Sequence, residues 1–145
     1  MGVYTAELNR TGTTADIGAI EAPASSMRRI ALMKAEFGID AKPADATLTW
    51  QLIRTSTANT GTSVTPQPVN PADAAAVALA KDVLTASGTE GVLLESVPLN
   101  QRATYTWVGY GDGELIIPAT ANAGIKLKNS ASSSLGATAT ITVRE

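Results

Sequence analysis

Two carboxylates separated by one residue, Asp112 and Glu114, alternate with Gly111 and Gly113 and could offer oxygen ligands to a calcium ion. Their spacing does not match that of an EF-hand loop, and the segment reads instead as an acidic hairpin tip kept in water by its charges. Together with Glu90 and Glu95 the same acids could form a glycosidase's acid and base pair. That chemistry needs a cleft of sugar-binding aromatics, and two Trp, three Tyr and one Phe in the whole chain do not supply one. Cys and His are both absent, which excludes disulfides, thiolate zinc sites and the ordinary Ser/His/Asp and Cys/His designs. Thr13, Thr14 and the run from Ser130 to Ser134 therefore have no base to make any of them a nucleophile.

The remaining chemically suggestive residues also have plain readings. Trp50 and Trp107 lie on alternating segments with apolar same-face neighbours, so they read as core residues and not as a stacking platform. Arg28 and Arg29 precede Lys34, but a strand sends adjacent residues to opposite faces and no basic stripe results. Asn9-Arg10-Thr11 matches a glycosylation sequon, which carries weight only in an exported chain. The opening residues have neither a basic start nor an apolar run, so no Sec-type signal is expected. Met1-Gly2 fits the start of a myristoylation pattern, but Ala6 stands where Ser or Thr is required.

The elements that must position these residues show period-two alternation bounded by turn residues. Between Thr47 and Thr55, Leu48, Trp50 and Leu52 share one face while Thr49 and Gln51 share the other. Between Ala137 and Val143, Ala137, Ala139, Ile141 and Val143 face inward and three threonines face outward. Further strands are expected over 3–8, 28–37, 92–97, 102–108, 114–117 and 125–128, with Tyr105 and Trp107 inward on the 102–108 strand. The glycine-rich run 109–113 predicts a hairpin between its flanking strands, and 120–124 and 129–134 predict two further turns. One stretch departs from the pattern. Residues 71–84 are rich in helix formers, with Asn70 as N-cap and Pro71 at the first helical position, and predict a short helix. The polar stretch 56–70, with Pro66 and Pro68, reads as a long loop ahead of it.

These elements predict an all-β fold: an antiparallel β-sandwich of Greek-key or jelly-roll type, with one short helix in a long crossover loop. The 145 residues make a single domain, 1–145, with an amino-terminal arm over about 1–14. Twenty-five alanines and nineteen threonines, with 4% aromatics, describe a core of small and branched side chains. A net charge of −2 from 11 basic and 13 acidic residues, well mixed, draws the chain neither to nucleic acid nor to anionic lipid. The apolar runs fall far short of a membrane span.

The carboxy-terminal third carries Asn100-Gln101-Arg102-Ala103-Thr104-Tyr105 and Ile117-Pro118-Ala119-Thr120-Ala121-Asn122. The amino half sets a Thr/Trp-rich strand before Thr65-Pro66-Gln67-Pro68 and an Ala-rich stretch. In this order, over most of its length, the chain resembles a group of small structural proteins encoded among the head genes of tailed bacteriophages. The motifs combine turn and strand chemistry that other β-sandwiches also use. The resemblance implies a capsid cement or decoration protein on the outer surface of a phage head, made in the bacterial host cytoplasm, with the major capsid protein as partner. It carries no catalytic residue, cofactor or metal with it.

Capsid shells present local three-fold points, so a homo-oligomer is expected, a trimer before a dimer. Attachment is assigned to the irregular segments 1–14 and 56–70, whose sizeable apolar groups Val3, Tyr4, Leu8, Val64, Pro66 and Pro68 become the contact candidates. Two other classes stay open at this point: another virion part, such as a tail-tube, connector or fibre module, and a carbohydrate-binding module or minor enzyme, which would show exposed coplanar aromatics.

Overall fold

The computed structural model describes residues 1–10, 16–25, 28–129 and 136–145. The strands in chain order are β1 (Val3–Arg10), β2 (Asp16–Glu21), β3 (Ile30–Ile39), β4 (Thr47–Thr55), β5 (Thr60–Val64) and β6 (Gln67–Pro68). They continue as β7 (Leu79–Ala86), β8 (Glu90–Asn100), β9 (Tyr105–Val108), β10 (Leu115–Ile117), β11 (Gly124–Asn129) and β12 (Ala137–Arg144). A 3-10 turn at Gly111–Gly113 is the only helical element among the described residues.

The strands form two antiparallel sheets packed face to face. One runs β10-β3-β12-β1-β6, with β9 also paired to β3; the other runs β5-β7-β2-β11-β4-β8. Among the described residues no strand is paired to its immediate successor. With β5, β6 and β7 set aside, the sheets read β1-β12-β3-β9/β10 and β2-β11-β4-β8. This is the strand order of a jelly roll, in which the chain crosses between the sheets at most of its connections and its first and last strands pair beside each other. The segment β5–β7 is an insertion between the fourth and fifth jelly-roll strands. It widens both sheets, adding β6 beside β1 and β7 and β5 beside β2.

Alternation fills the space between the sheets. Tyr4, Ala6 and Leu8 of β1, Ile30, Leu32, Ala35 and Phe37 of β3, and Ala137, Ala139, Ile141 and Val143 of β12 face Ile20, Leu48, Trp50, Leu52, Ile125 and Leu127. Each large side chain of this set contributes roughly 1.5–3 kcal/mol by leaving water. One irregularity lets β3 keep both its partners. Thr142 opposes Lys34 and Val143 opposes Leu32, so Met33 is an extra residue in a β-bulge.

Three expectations are corrected. Residues 71–84 contain no helix. Asn70 does cap as its sequence context suggests, its Oδ1 accepting the Ala72 N–H (3.2 Å) and its carbonyl the Asp73 N–H (2.9 Å), but the turn stops there. Beyond it Ala78, Ala80, Asp82 and Leu84 are buried at period two, and β7 is held between β2 and β5. Pairing on both sides outweighs alanine's helix preference, which amounts to a few tenths of a kcal/mol per residue.

The glycine-rich run 109–113 is not a hairpin tip. β9 and β10 lie in the same direction along one edge of β3, Val108 opposing Lys34 and Leu115 opposing Leu32, and the Gly109 N–H donates to Met33 O (2.8 Å) between them. Residues 110–114 bulge out of an edge strand that then resumes. The third correction concerns 56–70, which contains β5 and β6 and is a loop only in part. The expected turn at 130–134 lies outside the described residues.

Candidate functional site

The densest assembly of chemically capable side chains lies on the outer face of the β2/β11 sheet. β11 alternates so that Ile125 and Leu127 enter the core while Lys126 and Lys128 turn outward, and β2 sends Asp16 and Glu21 to the same face. An outward residue is ordinarily wet, yet Lys126 is 0% and Glu21 1% exposed. Two connections fold over them. The Ser56 N–H donates to Thr89 O (3.1 Å), the Thr89 N–H to Thr57 Oγ1 (2.8 Å), and the Gly88 N–H to Asn59 Oδ1 (2.8 Å). Gly88 is required here, because a Cβ would stand 2.1 Å from Thr57 O.

Under this cover the charges sort into two groups. Glu21 accepts the Asn59 backbone and side-chain N–H groups on Oε2 (3.1 Å each), while Oε1 pairs with Lys81 Nζ at 2.6 Å. Lys81 Nζ also donates to Asn59 O (2.6 Å). In the second group Lys126 Nζ lies 2.9 Å from Asp16 Oδ1 and contacts Glu90 Oε1, which Lys128 Nζ reaches at 3.2 Å. The Ser87 hydroxyl donates to Asp16 Oδ2. The Lys126 hydrogen bond, with Lys128 adding to it, holds the Glu90 carboxyl below the usual carboxylate range against the opposing effect of burial.

A different kind of surface lies at the open edge of the same sheet. The Gln101 N–H donates to Ala46 O (3.0 Å), and the ladder's alternation then assigns Leu99, Val97 and Glu95 to the bonds with β4. Pro98 accordingly faces the open edge, where a missing N–H is harmless to the sheet and blocks a visiting strand. Towards the start of β8, Val92 and Leu93 are 65% and 49% exposed. Val92 borders an apolar cleft of about 340 Å³, lined also by Arg54, Pro118, Thr120 and Ala123. Arg54 Nη1 donates to Ile116 O (2.6 Å) and ties this end to the other sheet. A larger, charged cleft of about 540 Å³ lies among Arg29, Asp112, Glu114, Arg144 and Glu145.

The contact candidates from the sequence are dispersed. Tyr4 (5% exposed) and Leu8 (0%) are core residues, and Pro66 is buried; burial removes all three from any surface available to a partner. Val3, Val64 and Pro68 are half-buried in β1, β5 and β6. The described part of the expected arm is therefore a sheet strand, β1, between β12 and β6; residues 11–14, with Thr13 and Thr14, lie outside the described residues. Leu48, Trp50, Leu52, Ile141 and Val143 are buried, whereas Tyr105 and Trp107 are half-buried and pack against the core from the short edge strand β9. Glu114 pairs with Arg144 and Asp112 is exposed on the 3-10 turn, so the two do not converge. Among the described residues no three acids, His or Cys gather to hold a metal ion. The sequence reading missed Asp16, Glu21, Asn59, Lys81 and Lys126 altogether. The Lys126–Lys128 spacing, two lysines on one face of an expected strand, is the signal in the sequence that could have found them.

The chain matches no known protein family, and neither a curated protein nor a solved structure is similar to it at a significant level.

Proposed function

We propose that the chain is a virion structural protein, a cement or decoration protein bound to the outer surface of a tailed-phage head, with the major capsid protein and further copies of itself as partners. The resemblance over the Asn100–Tyr105 and Ile117–Asn122 motifs supports this reading. The observation that carries it in the fold is the placement of exposed Val92 and Leu93 on the long open edge strand β8, beside the apolar cleft at Pro118. Apolar groups in such a place suit attachment by surface. The carbohydrate-binding reading loses its best feature, since Trp50 is buried and Trp107 half-buried against the core. A jelly roll by itself decides nothing, being used by capsid and lectin domains alike.

The attachment surface moves accordingly from the segments 1–14 and 56–70 to the start of β8. Self-association into a trimer, before a dimer, remains the expectation from the local three-fold points of a shell. The test is to find the chain in purified particles, count its copies, and add back Val92→Lys and Leu93→Lys variants to heads stripped of it. Many copies on the outer surface, lost with the variants while these remain folded, are expected. Absence of the chain from the particle overturns the reading.

A further inference from the structure

We propose that Lys126 and Asp16 condense to an amide, a covalent bond between β11 and β2, with Glu90 as proton carrier. The nucleophile, the electrophile and the base are already assembled. Lys126 is fully buried, and Nζ touches the carboxylates of Asp16 and Glu90. Nζ stands 2.9 Å from Asp16 Oδ1, but among the described residues this oxygen accepts no hydrogen bond, so the contact is an ion pair without the direction of one. The other oxygen is held by the Ser87 hydroxyl, which fixes the carboxyl plane and draws electron density from Cγ. The two ammonium groups beside Glu90 keep it as a carboxylate, the form that accepts a proton.

The bond changes balance within the pair itself. The Lys126 ammonium passes one proton across the 2.9 Å contact to Asp16 Oδ1, so that a neutral amine faces a neutral carboxyl, and its freed lone pair attacks Cγ to form the C–N bond. Glu90 takes a second proton from the nitrogen and hands it to Oδ1, which departs with both as water when the C–Oδ1 bond breaks. One N–H remains on the amide, and no oxidant or added reactant enters. Water competes poorly for the reverse step, since the Lys126 side chain is 0% and that of Asp16 8% exposed. Two reacting groups fixed in contact react as though at about 10⁵–10⁸ M. The product also replaces two buried charges, each expensive to desolvate, by one neutral amide.

The neighbouring pair is a built-in contrast. Lys81 meets Glu21 at 2.6 Å, but both oxygens of Glu21 are engaged, and among the described residues the other partner of the Lys81 ammonium is the Asn59 carbonyl, a poor proton acceptor. One cross-link is therefore expected and not two.

Intact-mass measurement of the folded wild-type chain should give a value one water below the sequence mass. Peptide mapping should then yield a branched peptide joining positions 16 and 126. Glu90→Gln and Lys126→Arg should restore the full sequence mass. A wild-type chain at full mass overturns the proposal, and so does a water loss that maps to a succinimide at Asp112–Gly113 or to Lys81 and Glu21. The wild-type measurement needs no variant, so it decides the matter even where Lys126→Arg does not fold.

Discussion

The indole of Trp50 on β4 and the phenyl ring of Phe37 on β3 meet across the two sheets, their centroids 5.3 Å apart and their planes inclined at 42°. Tyr105, opposite Phe37 in the same sheet, stacks on it at 5.8 Å, so three of the chain's six aromatics form one cluster. Trp50→Ala is expected to cost roughly 3–5 kcal/mol through the cavity it leaves. Trp50 Nε1 is buried with no hydrogen-bond partner among the described residues, so Trp50→Phe removes an orphan donor along with part of the ring and costs less. Equilibrium denaturation checks both variants, and the half-buried Trp107→Ala should lie below Trp50→Ala. The reverse order would overturn this account of the core.

The sheets were legible where a strand buries one face. Leu48-x-Trp50-x-Leu52 and Ala137-x-Ala139-x-Ile141-x-Val143 alternate because polar partners line the outer side. β2 was not legible: all six of its residues are buried, Asp16 and Glu21 included, since loops cover its outer face. Charged residues at both ends of a buried strand look like loop residues until their partners, Lys126 and Lys81, are known. β7 was hidden by alanine, whose small side chain fits a helix or a crowded sheet equally. The jelly-roll order itself is set by contacts between distant strands, to which local pattern is blind.

The Glu145 carboxylate clasps the segment leading into β7. Its Oε1 accepts the N–H groups of Val77 (2.9 Å) and Ala78 (2.7 Å), and its Oε2 stands 3.0 Å from the former. Hydrogen bonds to a charged group are worth about 1.5–3 kcal/mol when partly buried. Glu145→Ala should therefore release those two amides to hydrogen exchange before it affects the centre of either sheet. Equal protection of Val77 and Ala78 in both proteins would show that β7 holds them unaided.

Tyr105 supplies a pH dependence at the alkaline end. Burial first, and the Glu95 charge second, hold its phenol above the ordinary value of 10.0. The folded chain thus keeps a proton that the unfolded chain gives up at about pH 10. This favours unfolding increasingly as pH rises above 10, while below it the full stability is present. Urea midpoints measured from pH 9 upward should fall less steeply for Tyr105→Phe than for the wild type. Parallel slopes would contradict the assignment.

Pro98 is the guard of the open β8 edge. Its ring nitrogen occupies a position from which an N–H would otherwise point away from β4 toward any approaching strand. Pro98→Thr restores that donor on an exposed strand without removing a buried group. The variant is expected to stay folded and to associate beyond the wild-type state as concentration rises, as read by light scattering. An unchanged size distribution would mean that the edge is closed by some other feature.

Removal of residues 1–9 tests the largest revision. As a free arm, this segment would be dispensable for folding. As β1, it pairs with β12 along its whole length, from Val3 opposite Arg144 to Arg10 opposite Ala137, and carries β6 on its other side. The Gly2 N–H and the Glu145 N–H close the same ladder at its end, each donating to the other residue's carbonyl (3.2 and 3.1 Å). Tyr4 and Leu8 are buried, the Tyr4 hydroxyl donates to Ala74 O (3.0 Å), and Leu8 packs so tightly on Gly18 that a Cβ there would stand 2.8 Å from Leu8 Cδ1. Two large side chains at roughly 1.5–3 kcal/mol each, with a full ladder besides, approach the 5–15 kcal/mol that holds an ordinary domain together. The truncated chain is expected to lose its cooperative unfolding transition and become sensitive to protease throughout. A truncated chain that still melts cooperatively would show that the other strands of both sheets carry the fold without β1.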